Sequence, residues 1–144
     1  LKKSKKQSGT EFEKYLENFF LDRGWQVHRS RRSYQRFGGF VRSNTNDVFG
    51  CIDLILKKKD KKTVWIQATK HSGLKQKIKD LSEVKWNFNV DQVLLIIKRK
   101  NYIDIKEFRE GQLYDIGKIV RGQLFMKNYN VVGDDNMIVN GELE

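Results

Sequence analysis

The 144 residues are one domain's worth of chain, enough to bury a single core. Lysine and arginine total 29 against 18 aspartate and glutamate, a formal net charge of +11, which points to a polyanionic partner, nucleic acid ahead of an anionic membrane surface. No apolar run approaches the ~20 residues of a membrane span, and the single Cys51 excludes an intramolecular disulfide and a cysteine-built zinc site, so a soluble protein of a reducing cytosol, a cell's own or a virus's, is expected.

Residues 1–8, with Lys2, Lys3, Lys5 and Lys6, read as a flexible basic arm ahead of one domain over 9–144. A helix is expected from Thr10 to about Arg23, with Gly24 as its stop. Phe12, Leu16, Phe19 and Phe20 share one stripe of it at helical spacing. Trp25 and Val27 alternate with Gln26 and His28 as a short half-buried strand. Ser30 to Asn46, interrupted by Gly38-Gly39, reads as a long polar connection. Ile52 to Leu56 and Thr63 to Ala68 are strands joined by a lysine-rich turn around Asp60. Leu74 to Lys85 is a second helix with Leu74, Ile78 and Leu81 on one face, and Gln92 to Ile97 is a strand buried on both faces. Tyr102 to Phe108 alternates as an edge strand, and a hairpin turning at Gly133-Asp134-Asp135 is expected in the tail. The order α-β-β-β-α-β with a strand-rich C-terminal tail predicts an α/β fold, a central mixed sheet flanked by helices.

Chemistry concentrates on the hairpin. With the loop centred near Asp60, antiparallel partners have numbers summing to about 120, which sets Asp53 across from Gln67. Asp53, Ile55, Trp65, Gln67 and Thr69 then share one face, while Ile52, Leu54, Val64, Ile66 and Ala68 line the other. Asp53, the Gln67 amide oxygen and a main-chain carbonyl near Ala68 are the kind of oxygen set that Mg²⁺ prefers. Glu13 is a third candidate. It completes a capping box with Thr10, yet it also lies on the flank of the Leu16–Phe20 stripe, where a carboxylate can point toward the hairpin. Glu11 is the alternative.

The motifs Gly9-x3-Glu13, Arg23-Gly24-Trp25-x-Val27, Gly50-Cys51-Ile52-Asp53-Leu54-Ile55 and Ile66-Gln67-Ala68-Thr69-Lys70 occur in that order. Together they resemble the PD-(D/E)xK nuclease superfamily over residues 8–100. Their spacings are similar to those of archaeal and phage Holliday junction resolvases, and the Gln67 motif is similar to that of Mrr-type endonucleases. The resemblance implies a restriction-endonuclease-like fold, a Mg²⁺ or Mn²⁺ cofactor and hydrolysis of DNA phosphodiester bonds. Glu13 and Asp53 match family acids, and Gln67 takes the place of the second-motif acid. Thr69 stands where the family lysine is expected, with Lys70 one residue later. Three outcomes follow: a β-bulge that turns Lys70 into the site, a substitute lysine from the next helix (Lys75 or Lys77), or loss of activity. His71 is a further group near the site. Junction cutting implies a two-fold homodimer, for which Trp86, Phe88 and Tyr102 offer an apolar patch. The alternatives are a nucleic-acid-binding module on a nuclease fold, or a restriction-like nuclease that cuts plain duplex.

Five arginines (Arg29, Arg31, Arg32, Arg36 and Arg42) interleave with Tyr34, Phe37 and Phe40. Guanidinium forks suit phosphate oxygens and aromatic rings stack on unpaired bases, so this segment, with Lys75, is the expected DNA-binding surface. Asp47 reads as a turn residue.

Overall fold

A computed structural model of the chain describes residues 5–30, 32–37, 40–45, 48–70 and 73–127, with side chains placed for 9–30, 48–70 and 73–127. The elements are α1 (Lys5–Leu21), β1 (Gln26–Arg29), β2 (Arg32–Phe37), β3 (Phe40–Thr45), β4 (Leu54–Lys57), β5 (Thr63–Lys70), α2 (Leu74–Ser82), β6 (Asp91–Lys98), β7 (Ile103–Arg109), β8 (Gln112–Val120) and β9 (Gln123–Met126). Seven strands form one sheet in the order β1-β4-β5-β6-β7-β8-β9. Every neighbouring pair is antiparallel except β5 and β6, which run parallel. A parallel pair needs a crossover, and α2 lies within it. The fold is α/β with a mixed sheet, as the element order predicted.

The apolar stripe of α1 accounts for its place. Phe12, Leu16, Phe19 and Phe20 are buried against Leu54, Leu56, Val64, Ile66, Leu94 and Ile96 on one face of the sheet. Each such side chain taken fully out of water contributes about 1.5–3 kcal/mol. The helix stops as its glycine predicts. Gly24 has φ +86, its N–H donates to the Leu21 carbonyl, and the Trp25 N–H reaches back to Phe20, the bonding pattern of a Schellman cap. The start differs from expectation. Lys5, Lys6 and Gln7 are good helix formers, and the helix begins at Lys5 and runs through Gly9 and Thr10. Thr10 is therefore no N-cap, and residues 5–8 belong to the helix.

On the opposite face Ile78 and Leu81 of α2 pack with Ile55, Trp65, Val93 and Phe108. Ile52 joins this cluster, not the α1 side predicted for it, because β4 begins only at Leu54 and Ile52 is instead bridged to Val48. With helices on both faces, β6 is buried continuously from Gln92 to Ile97.

Two further expectations are corrected. Ser30 to Asn46 is not all connection: β2 and β3 pair as a separate antiparallel ribbon, which the segment's polarity concealed. The Tyr102–Phe108 strand is interior, since β7 bonds to both β6 and β8. The sheet edges are β1 and β9. Laid flat, seven strands span roughly 29 Å, yet Arg23, beside β1, donates from Nη2 to the Gly122 carbonyl in the β8–β9 turn at 3.3 Å. The sheet therefore curls around α1. The expected tail hairpin at Gly133-Asp134-Asp135 lies outside the described residues. Among the described residues no helix is long and apolar enough to cross a membrane.

Candidate active site

The β4–β5 ladder pairs Leu54 with Ile66, Ile55 with Trp65 and Leu56 with Val64. Continued by one residue, this register sets Asp53 opposite Gln67, as the turn predicted. β4 ends there while β5 continues to Lys70, so the last residues of β5 lie beyond the end of their β4 partner. Asp53 is pinned through its backbone: its N–H donates to the Ile66 carbonyl at 2.9 Å, and its carbonyl accepts the Ser30 N–H at 2.8 Å. The buried Ser30 hydroxyl donates to the Ile52 carbonyl at 2.9 Å. The Asp53 carboxylate then accepts the Ala68 N–H at Oδ2, 2.8 Å away. This charge-assisted bond takes the place of a ladder bond and aims the acid along the β5 edge. Because the N–H and C=O of one strand residue point the same way, the Ala68 carbonyl faces that edge too.

Gln67 is 3% exposed, and its Oε1 is buried with no hydrogen-bond partner among the described residues. Leaving such an oxygen unpaired costs about 1–3 kcal/mol. A cavity of about 190 Å³ opens at this point. α1 contributes Phe12 and Glu13 to its walls, the hairpin contributes Asp53, Gln67, Ala68 and Lys70, and α2 contributes Lys77 and Asp80. The two helices cover opposite faces of the sheet, and they meet in one cavity because β4 stops short.

The cavity thus gathers Glu13, Asp53, Gln67, Ala68 and Lys70, all predicted from sequence. Since α1 begins at Lys5, Glu13 is not the closing member of a capping box. Lys70 does not enter by a β-bulge: β5 pairs with β6 without interruption from Thr63 opposite Asp91 to Lys70 opposite Lys98. It reaches the cavity from the exposed end of the strand. Of the two helix lysines, Lys77 is in the wall, whereas Lys75 is exposed in the first turn of α2. Asp80, which accepts a bond from Gln76 Nε2 at 2.8 Å, was missed. Its spacing of three puts it on one helix flank with Lys77, but nothing in the sequence says that this flank faces the hairpin.

Other predicted residues fall elsewhere. Arg29 is mostly buried and donates from Nε to Glu17 of α1 at 3.3 Å. It ties β1 to α1 and is not an open phosphate contact. Arg32, Tyr34, Arg36 and Arg42 lie on the β2–β3 ribbon; Arg31, Asp47 and His71 lie outside the described residues. Trp86 and Phe88 are not a free dimer patch. Trp86 packs on Trp65 with ring centroids 5.5 Å apart and donates from Nε1 to the Leu81 carbonyl, and Phe88 packs on Phe108. Of that predicted patch only Tyr102 is exposed, at 41%.

The sequence reading also passed over Phe49. The Cys51 N–H donates to the Val48 carbonyl across Phe49 and Gly50, whose φ values are 55 and 75. Two successive left-handed residues make a turn of type I′, which favours Asn-Gly. Phe49 occupies its strained first position, and the residue as a whole is 64% exposed.

No known family model, characterised protein or solved structure matches this chain. Among the described residues no three His, Cys, Asp or Glu side chains form a metal-binding group. A cation here would instead use mixed oxygen donors: the Asp53 carboxylate, the Gln67 amide, the Ala68 carbonyl and Glu13. That set fits Mg²⁺ or Mn²⁺, which take one or two carboxylates with neutral oxygens and water, and it would satisfy the orphaned Gln67 Oε1.

Proposed function

We propose that this protein is a Mg²⁺- or Mn²⁺-dependent DNA endonuclease that hydrolyses phosphodiester bonds at the Asp53–Gln67 cavity. One observation carries the reading: an acid, a buried amide oxygen with no partner among the described residues and two lysines from separate elements line one small cavity on a chain of net charge +11. Asp53, Gln67, Ala68 and Glu13 would hold the cation. When bound, it supplies Lewis-acid polarisation of the scissile phosphate and a source of hydroxide at neutral pH. Lys77, half-buried in the wall, and Lys70, at the mouth, supply positive charge where negative charge grows on the phosphoryl oxygens. The preference for branched DNA, and a homodimer to cut it symmetrically, rest on the resemblance of the motif order to junction resolvases within the PD-(D/E)xK superfamily.

The test is incubation of the chain with a four-way junction, its matched duplex and a single strand, in Mg²⁺, Mn²⁺ or EDTA. Metal-dependent nicking with the junction preferred is expected. Equal cutting of plain duplex would remove the resolvase assignment and leave a restriction-like nuclease. A second reading, a DNA-binding module without activity, draws on Thr69 at the usual lysine position and on the lack of a three-acid group among the described residues. Tight DNA binding without cutting in either metal would establish it.

A further inference from the structure

A second cavity, about 670 Å³, adjoins the first, and the two share Gly50 and Asp80 in their walls. Its lining differs in kind. Phe49, Cys51 and Val84 give it an apolar body, and Asp80 and Glu83 put carboxylates around it with Lys85 opposite the acids in charge. Carboxylates disfavour a phosphate, whereas an apolar slot beside an exposed aromatic ring accepts a flat, neutral, hydrogen-bonding group. Phe49 stands in a turn position that Asn or Gly would fill without strain, so local backbone preference does not account for the ring. The ring packs on Trp65 and Trp86, with centroids at 5.9 and 6.1 Å, which fixes its position in the cavity wall.

We propose that this second cavity receives an unpaired nucleobase from the nucleotide flanking the scissile phosphate. The base stacks on Phe49, while the carboxylates of Asp80 and Glu83 accept hydrogen bonds from its exocyclic amino group. The inference rests on the endonuclease reading and sharpens it. A base paired and stacked within duplex reaches the slot only at the cost of unpairing, so the substrate class becomes DNA whose nucleotides are unpaired or readily unpaired, such as bulges, single strands and the centre of a junction.

The experiment compares the whole chain with Phe49→Asn, which suits the turn but removes the ring, and Phe49→Tyr, which keeps it. Each is titrated in EDTA with a bulged duplex carrying 2-aminopurine at the unpaired position, and with the matched duplex. Cutting rates on the same pair are then measured in Mg²⁺. Stacking losses of this kind amount to about 5- to 160-fold per base. Phe49→Asn is expected to lose that factor on the bulge only and to abolish the fluorescence quenching, while Phe49→Tyr retains both. Unchanged selectivity in Phe49→Asn, with wild-type cutting intact, overturns the base slot and leaves the nuclease reading standing. Equal losses on both substrates also overturn it. A wild-type chain that neither binds nor cuts either DNA overturns both.

Discussion

Gln67 keeps an amide oxygen in the protein interior with nothing among the described residues to bond it, and that cost has a measurable sign. Gln67→Leu removes the unpaired oxygen at similar volume, so the metal-free protein should gain about 1 kcal/mol of stability. The same change should abolish the rise in unfolding temperature that Mn²⁺ gives the wild type, whereas Gln67→Glu should enlarge it. Denaturation with and without Mn²⁺ reads both, and a Gln67→Leu chain still stabilised by metal would remove Gln67 from the site. Among the lysines, the half-buried Lys77 is expected to matter more than the exposed Lys70. Lys77→Ala should slow cutting by about 100-fold or more, and single-turnover rates of the two alanine variants decide between them. The pairing of Asp53 with Gln67 was legible because a hairpin's register follows from its turn. Asp80 and Phe49 were not: one depends on how α2 settles across the sheet, and the other sits in a backbone conformation its residue type disfavours by about 1–2 kcal/mol.

At the scale of elements, α1 provides a direct check on where the chain first becomes ordered as helix. Because it begins at Lys5, Gly9 is a helix-interior glycine with open space around its absent Cβ. Gly9→Ala should then stabilise the protein by about 0.5–1 kcal/mol; a change near zero in chemical denaturation would put Gly9 outside the helix. Gly117 behaves oppositely. It sits where β8 shifts register against β7, and a Cβ there would meet the Phe125 carbonyl oxygen at 2.7 Å and Met126 Sδ at 2.8 Å. Gly117→Ala should cost about 1–3 kcal/mol by forcing β9 away. At this end of the sheet Asp115 is also tuned. Burial raises its carboxyl, but the 2.6 Å bond from Lys127 and the charges of Lys106 and Lys127 outweigh it, so its pKa lies below the ordinary value. A lowered carboxylate pKa stabilises the fold above the unfolded value, and that contribution is lost as pH falls through the folded one. The pair is half-exposed, so it contributes under about 1 kcal/mol. An NMR titration should show Asp115 moving up in Lys127→Ala. The helices and the strands β4 to β6 were legible from periodicity. The β2–β3 ribbon was not, because a polar segment carries no apolar alternation, and β7 was misread as an edge because β8 includes Gly117 and a register shift that break its own alternation.

For the whole molecule, charge and curvature set the frame. A net charge of +11 predicts DNA affinity that falls steeply with salt. If six to ten phosphates are neutralised, raising salt from 50 to 200 mM should weaken binding by about 10³- to 10⁵-fold, and a fluorescence-anisotropy series gives the slope. The curl of the sheet around α1 leaves the β4 end as the place where both helices and the β5 edge converge, so loss of Asp53 should disable chemistry more than folding. The single-turnover cutting rate of Asp53→Asn against wild type, on whichever DNA the wild type cuts best in Mg²⁺, tests this most directly. We expect a loss of at least about 10³-fold, equivalent to about 4 kcal/mol of barrier, with DNA affinity in EDTA unchanged. Cutting by Asp53→Asn at the wild-type rate, or wild-type cutting that persists in EDTA, would contradict the account.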